Sequence, residues 1–164
     1  MKKNNKGFSL VELIIIIAIM AVVGVSVVSY IGMLGRSEAR KCAKELSTSI
    51  SQTKVCAMSR SNASMTVYAD DTGVYVKSVE GSSSKTEKIG NKGVSVSYLN
   101  VRGGSSYIPV GQTEADGVKI EFDRASGACK KLSSGNYCYG FKITSGKTTF
   151  IIEIEPLTGK TSIK

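Results

Sequence analysis

Apolar and polar positions divide the chain into an uninterrupted apolar run, a striped segment and a long region of alternation. Residues 13–34 form the apolar run, with 22 positions that carry no charge. As a helix, a run of this length spans a hydrocarbon core of about 30 Å. After Leu34 the chain becomes polar and rich in Ser, Thr and Gly. The pattern therefore predicts one apolar helix followed by a folded body of roughly 100 residues.

The striped segment, residues 36–60, predicts that the helix continues beyond the apolar run. Apolar or small residues recur there at intervals of three and four, at Ala39, Ala43, Leu46, Ile50, Thr53 and Ala57. This spacing places them on one face of an amphipathic helix. Because no proline occurs before residue 109, we expect one helix from Phe8 to about Arg60, capped by Asn62. The striped face is the one that a sheet is expected to cover.

From Ala63 onward apolar and polar residues alternate, which is typical of β-strands. The predicted strands are MTVYAD, VYVKSV, VSVSYLNV, VKIEFD, YCYGFKIT, TTFIIEIE and KTSIK. Turns are predicted at residues 70–73, 145–147 and 156–159, and a loop is predicted at residues 81–93. The predicted fold class is α+β: a long N-terminal α-helix, apolar in its first half, packs by its second half against a mostly antiparallel sheet.

Composition argues against an enzyme. The chain has no histidine, which removes the commonest general base, the usual nitrogen ligand of zinc and every Ser-His or Cys-His pair. The formal net charge is +9, and it falls to +6 without Lys2, Lys3 and Lys6. The remaining charges are scattered, which favours a solvated surface over a dedicated anion site. We therefore predict no catalytic residue, no metal site and no cofactor.

One carboxylate, Glu12, stands at the edge of the apolar run. Deep in a membrane-spanning helix a carboxylate costs roughly 2.5–3.5 kcal/mol on insertion scales. Glu12 is therefore a defect, a residue near the interface that reaches water, or a group with a partner.

The segment KGFSLVEL, residues 6–13, resembles the processing site of type IV pilins and pseudopilins. The family pattern is a short basic leader that ends in Gly, a cut before an aromatic or apolar residue, and a Glu four positions after that residue. Gly7, Phe8 and Glu12 match these positions. The resemblance implies cleavage between Gly7 and Phe8 by a prepilin peptidase, followed by N-methylation of Phe8.

Cleavage would leave an ammonium group at Phe8, and Glu12 is the opposite charge close to it in the sequence. When subunits pack with an axial shift, Glu12 of one subunit can neutralise the Phe8 amine of its neighbour. At 4 Å and an effective dielectric constant of 20, the attraction is about 4 kcal/mol before desolvation. Since an unpaired charge in an apolar filament core is costly, this pair would fix the stagger between subunits.

The resemblance implies a structural subunit of a type IV pilus or pilin-like filament. Its segments would be a leader at 1–7, a transmembrane and filament-core helix at 8–35, an amphipathic half-helix at 36–61 and a β-rich head at 62–164. Its partners would be other copies of itself or other pilins, the prepilin peptidase and the pilus assembly platform. It would be a single-pass protein of the cytoplasmic membrane before assembly and part of an extracellular pilus afterwards.

A minor pilin or pseudopilin, acting at a filament tip, in type II secretion or in competence, is the alternative. The segments FDRASG and EPLTGKTSIK are similar to the C-terminal hairpins of small pseudopilins and minor pilins. DNA is a further candidate partner through Arg124, Lys130 and Lys131, although solvation of the surface is favoured because no aromatic platform accompanies these charges in the sequence.

The four cysteines offer a candidate disulfide. Cys42 and Cys56 are separated by about 21 Å of rise in the predicted helix, too far for a bridge. Cys129 and Cys138 flank a loop short enough to be closed by a disulfide, and we favour this pair. Pairing between helix and sheet is the rival, and Cys42 and Cys56 would otherwise pack as small apolar residues.

Overall fold

The computed structural model describes residues 9–59 and 62–164, without the side chains of residues 24–34. The predicted helix is confirmed as α1, Leu10–Met58. Its predicted end residues, Phe8 and Arg60, lie outside the described residues. The chain divides into two compact units, Met1–Leu34 and Gly35–Lys164.

Within the described residues nine strands follow the helix. They are β1 Ala63–Asp70, β2 Gly73–Glu80, β3 Ser83–Asn91, β4 Val94–Leu99, β5 Ile108–Pro109, β6 Val118–Glu121, β7 Gly140–Ser145, β8 Thr148–Glu155 and β9 Lys160–Ile163. They form two sheets, with strand orders β3-β2-β1-β6 and β5-β4-β7-β8-β9. All of these neighbouring strands pair antiparallel. The α+β class is confirmed, but the strands form two sheets instead of the single sheet expected from the sequence.

The prediction of a loop at residues 81–93 is wrong, because strand β3 occupies most of that segment. Glu80 pairs with Ser83 across a two-residue turn, and β3 then follows β2 along its whole length. The first residue of the turn, Gly81, has a φ of 61°, a conformation that glycine adopts at little cost. Most side chains of β3 are exposed on both faces, so the strand lacks the apolar alternation from which strands are recognised.

The hairpin predicted around residues 145–147 is confirmed. Ser145 pairs with Thr148, so that Gly146 and Lys147 form the turn between β7 and β8. Strand β5 has only two residues and was not expected from the sequence. It pairs with β4 at the edge of the second sheet.

The core lies between the second half of α1 and the sheets, as the stripe predicts. All six residues of the stripe are buried, including Leu46 and Ile50 at 0% exposure. Fully burying one such side chain stabilises the fold by about 1.5–3 kcal/mol. The helix reaches both sheets: the Cys56 thiol donates to Glu80 of β2 at 3.2 Å, and the Ser47 hydroxyl lies 3.5 Å from the Thr161 hydroxyl of β9.

Candidate functional site

The predicted assembly residue Glu12 lies in the first turn of α1. The backbone N–H of Ser9 donates to Glu12 Oε2 at 3.2 Å, and the carbonyl of Ser9 accepts from the N–H of Leu13 at 3.2 Å. Ser9 is therefore the N-cap, and Glu12 makes the Glu half of a capping box. The spacing S-x-x-E was visible in the sequence as residues 9–12, but the prediction did not use it.

The Glu12 side chain is exposed. Its bond to Ser9 N–H uses one carboxylate oxygen, and no other partner of this side chain occurs among the residues that the structure describes. A carboxylate accepts at both oxygens, so Oε1 is available to a cation. Gly7 and Phe8 lie outside the described residues, and the predicted cleavage and the pairing of Glu12 with a Phe8 amine stay predictions.

The helical surface that follows Glu12 is apolar and uncovered. Every described side chain from Ser9 to Val23 is exposed. The large apolar ones are Leu10, Val11, Leu13, Ile14, Ile15, Ile16, Ile17, Ile19, Met20, Val22 and Val23. An exposed apolar surface of this extent on a protein marks a site for a membrane or for other protein chains. No helical stretch within the described parts of the chain combines the length and hydropathy of a membrane crossing.

The predicted disulfide between Cys129 and Cys138 is not seen, and both residues are free, buried thiols. Each thiol has a carbonyl acceptor of its own, since Cys129 donates to Lys130 at 3.6 Å and Cys138 donates to Gly140 at 3.7 Å. Burial raises the pKa of Cys129 to about 11 and that of Cys138 to about 12. Thiols with such high pKa values are poor nucleophiles, which indicates a packing role in the reduced chain.

The two helical cysteines differ. Cys42 is a buried, free thiol, and its pKa is raised to about 12 by burial and then by the nearby carboxylates of Glu45 and Glu38. Cys56 is half-buried, and burial together with its hydrogen bond to Glu80 raises its pKa. The expectation of small apolar packing therefore fits Cys42, whereas Cys56 makes a polar contact with the first sheet.

The basic residues proposed to contact DNA have aromatic neighbours, contrary to the expectation from the sequence. Lys131 Nζ lies 5.7 Å from the centroid of the Tyr137 ring, and Tyr139 meets that ring edge-on at 6.4 Å. Lys131 and Tyr137 are six residues apart, so their contact depends on the path of the chain between them. Lys130, however, lies 3.7 Å from Glu121, whose pKa is lowered by Lys119 and then by Lys130. Glu121 therefore already neutralises part of the positive charge that would bind DNA.

The family comparison points to the N-terminus. Residues 2–28 match the family model of the prokaryotic N-terminal methylation motif. The matched segment includes Gly7, Phe8 and Glu12, as well as the whole exposed stretch at residues 9–23. Comparisons with curated proteins and with solved structures give no match. The chain therefore carries, at residues 2–28, the N-terminal signature of the type IV pilins and pseudopilins.

Proposed function

We propose that the chain is a structural subunit of a type IV pilus or pilin-like filament. A prepilin peptidase removes residues 1–7, the new N-terminus at Phe8 is methylated, and the subunit is stored in the cytoplasmic membrane. The assembly platform then moves it into a surface filament, where its helix packs against other subunits.

The observation that carries the proposal is the methylation motif at residues 2–28, within which every described helical side chain, from Leu10 to Val23, is exposed. Burial of apolar surface is worth about 25 cal/mol for each Å² removed from water. A helix that is apolar all round gains this free energy only in lipid or among several neighbouring helices. Storage in a membrane followed by packing in a filament supplies each of these surroundings in turn.

In this proposal Glu12 has two functions. Its Oε2 caps its own helix by accepting a hydrogen bond from Ser9 N–H. Its Oε1 accepts a hydrogen bond from the Phe8 ammonium of the neighbouring subunit. The first interaction needs only a hydrogen-bond acceptor, whereas the second needs a negative charge. Glutamine also serves in a capping box, because its amide oxygen accepts the same bond. The substitution Glu12→Gln therefore removes the charge and keeps the cap.

The test compares Glu12→Gln and Glu12→Ala in cells that assemble filaments. We expect both variants to lose residues 1–7 normally and to remain in the membrane fraction, because the cleavage position is unchanged. Incorporation into sheared filaments should fall at least tenfold in both, since about 4 kcal/mol of attraction is lost at the assembled pair. Glu45→Gln, which removes a carboxylate from the same helix outside the motif, should assemble like the wild type. Normal assembly of Glu12→Gln would show that Glu12 only caps its helix.

Minor pilins and pseudopilins share the same motif, and copy number separates these roles. Quantitative mass spectrometry of purified filaments should find this chain as their main component if it is the bulk subunit. A small, constant fraction of the total would assign it instead to a filament tip or a secretion apparatus.

A further inference from the structure

A basic groove opens on the body beside the start of its helical segment. Arg36, Arg40 and Lys44 recur every fourth residue and are all exposed, so they form one stripe of α1. They line a groove of about 720 Å³. Its other wall comes from β8 and β9 of the second sheet, through Phe150 and Ile163, with Lys164 at its end.

The three cations of the stripe form no salt bridge within the described part of the chain. No carboxylate oxygen of a described Asp or Glu lies within 4.0 Å of the side-chain nitrogens of Arg36, Arg40 or Lys44. Other lysines of the body are paired, for example Lys77 with Glu114 at 2.6 Å and Lys164 with Glu153 at 2.7 Å. The described lining of the groove contains four basic side chains and no acidic one, so the groove favours an anion.

The opposite wall favours an anion that carries an apolar part. Ile163 is 44% exposed, and Phe150 is half-buried against the core. A free phosphate would use only the cations, whereas a phospholipid also places glycerol and acyl carbons against an apolar wall. Arginine suits the phosphate itself, because its planar fork donates two parallel hydrogen bonds to phosphate oxygens.

The position of the basic stripe in the sequence also favours a phospholipid. Arg36 is the first charged residue after Glu12 and lies two residues beyond Leu34, the end of the apolar run. If that run is stored in a bilayer, the next turns of the helix begin at the level of the lipid headgroups. Basic residues at this position are attracted to anionic lipids, with a gain of about fivefold in affinity for each Lys or Arg near the surface.

We propose that the groove lined by Arg36, Arg40 and Lys44 binds the phosphate of an anionic phospholipid while the subunit is stored in the membrane. This inference rests on the proposed function, because only a membrane-stored subunit meets a lipid headgroup. Packing against other subunits in the filament would then replace the lipid.

The test uses the full chain reconstituted into phosphatidylcholine vesicles that contain about 30% phosphatidylglycerol. Electron paramagnetic resonance compares the fraction of spin-labelled phosphatidylglycerol held at the protein with the fraction of spin-labelled phosphatidylcholine. We expect the wild type to prefer phosphatidylglycerol at least about fivefold, the gain expected from one such residue. The triple variant Arg36→Gln, Arg40→Gln, Lys44→Gln should lose the preference. The matched triple variant Lys119→Gln, Lys130→Gln, Lys131→Gln, which removes three charges elsewhere on the body, should keep it.

A second variant separates charge from folding. The double substitution Arg36→Lys, Arg40→Lys keeps the charge but loses the planar fork, so it should retain part of the preference and show the circular dichroism melting curve of the wild type. Equal retention of the two lipids by the wild type would overturn the inference, as would a preference that survives the first triple variant. Leader removal and filament incorporation are scored separately. A wild-type chain that prefers phosphatidylglycerol but never enters filaments would therefore contradict the proposed function and leave the lipid site standing.

Discussion

Leu13 and Leu46 lie in the same helix, yet 54% of the Leu13 surface is exposed and none of the Leu46 surface is. The difference follows from the pattern around each residue. Near Leu13 apolar residues occur on every side of the helix, whereas near Leu46 they occupy a single face. A sheet from the same chain can cover one face of a helix but not its whole circumference. The pattern of the sequence thus decides whether a helical segment is buried within its own chain.

The comparison assigns different roles to the same type of side chain. Burial of Leu46 and Ile50 occurs when the body folds, so its free energy contributes to folding. The apolar surface of residues 10–23 is not buried by the described part of the chain, so its free energy is available to lipid or to other subunits. Substitutions in the two halves should therefore change different measurements.

The largest expected effect comes from a matched pair of Leu→Ala substitutions. Leu46→Ala should lower the free energy of unfolding by about 2–5 kcal/mol, because it opens a cavity in the core. Leu13→Ala should change it by less than about 0.5 kcal/mol, because the side chain is exposed. Urea titration of the detergent-solubilised chain, followed by circular dichroism, measures both. Equal destabilisation by the two substitutions would show that the halves of the helix do not differ as described.

Thiol reactivity tests burial in the second half directly. The pKa of Cys42 is raised from 9.0 to about 12, so at pH 8 the fraction in the reactive thiolate form is about a thousandfold lower than in the unfolded chain. Iodoacetamide should therefore modify Cys42 at least a hundredfold more slowly in the native protein than in urea, as peptide mass spectrometry would measure. Rapid native modification would mean that the striped face of the helix is not covered by the sheets.

The smallest effect concerns an ion pair on the body surface. Lys119 and Lys130 lower the pKa of Glu121, so Glu121 stabilises the fold above its unfolded pKa of about 4.3, and this contribution is lost as the pH falls through its folded pKa. Glu121→Gln should lower the free energy of unfolding by less than about 1 kcal/mol at pH 7. The difference from the wild type should vanish in strong acid. A difference that persists there would indicate a packing effect of the substitution.

Elements with a regular spacing of apolar residues were predictable from the sequence. Elements that form because they pair with another segment were not. The stripe on α1 and the β7–β8 hairpin follow from local spacing and turn residues. Strand β3 was missed because its pairing with β2, and not its own pattern, makes it a strand, although Gly81-Ser82 was a usable turn signal.

At the candidate site, Glu12 was recognised from the motif, and its bond to Ser9 could have been read from the S-x-x-E spacing. The spacing of Arg36, Arg40 and Lys44 is also local and predicts their stripe on α1. The opposite wall of the groove comes from Phe150 and Ile163, which are distant in the sequence and meet the helix only in the folded body.

The most direct test of the account is the N-terminus of the chain in assembled filaments. Filaments sheared from the cell surface are purified, and the intact mass and N-terminal peptide of this chain are determined by mass spectrometry. The account predicts a chain that begins at N-methylated Phe8 and lacks residues 1–7. A mature chain that still begins at Met1, or filaments that never contain this chain, would contradict it.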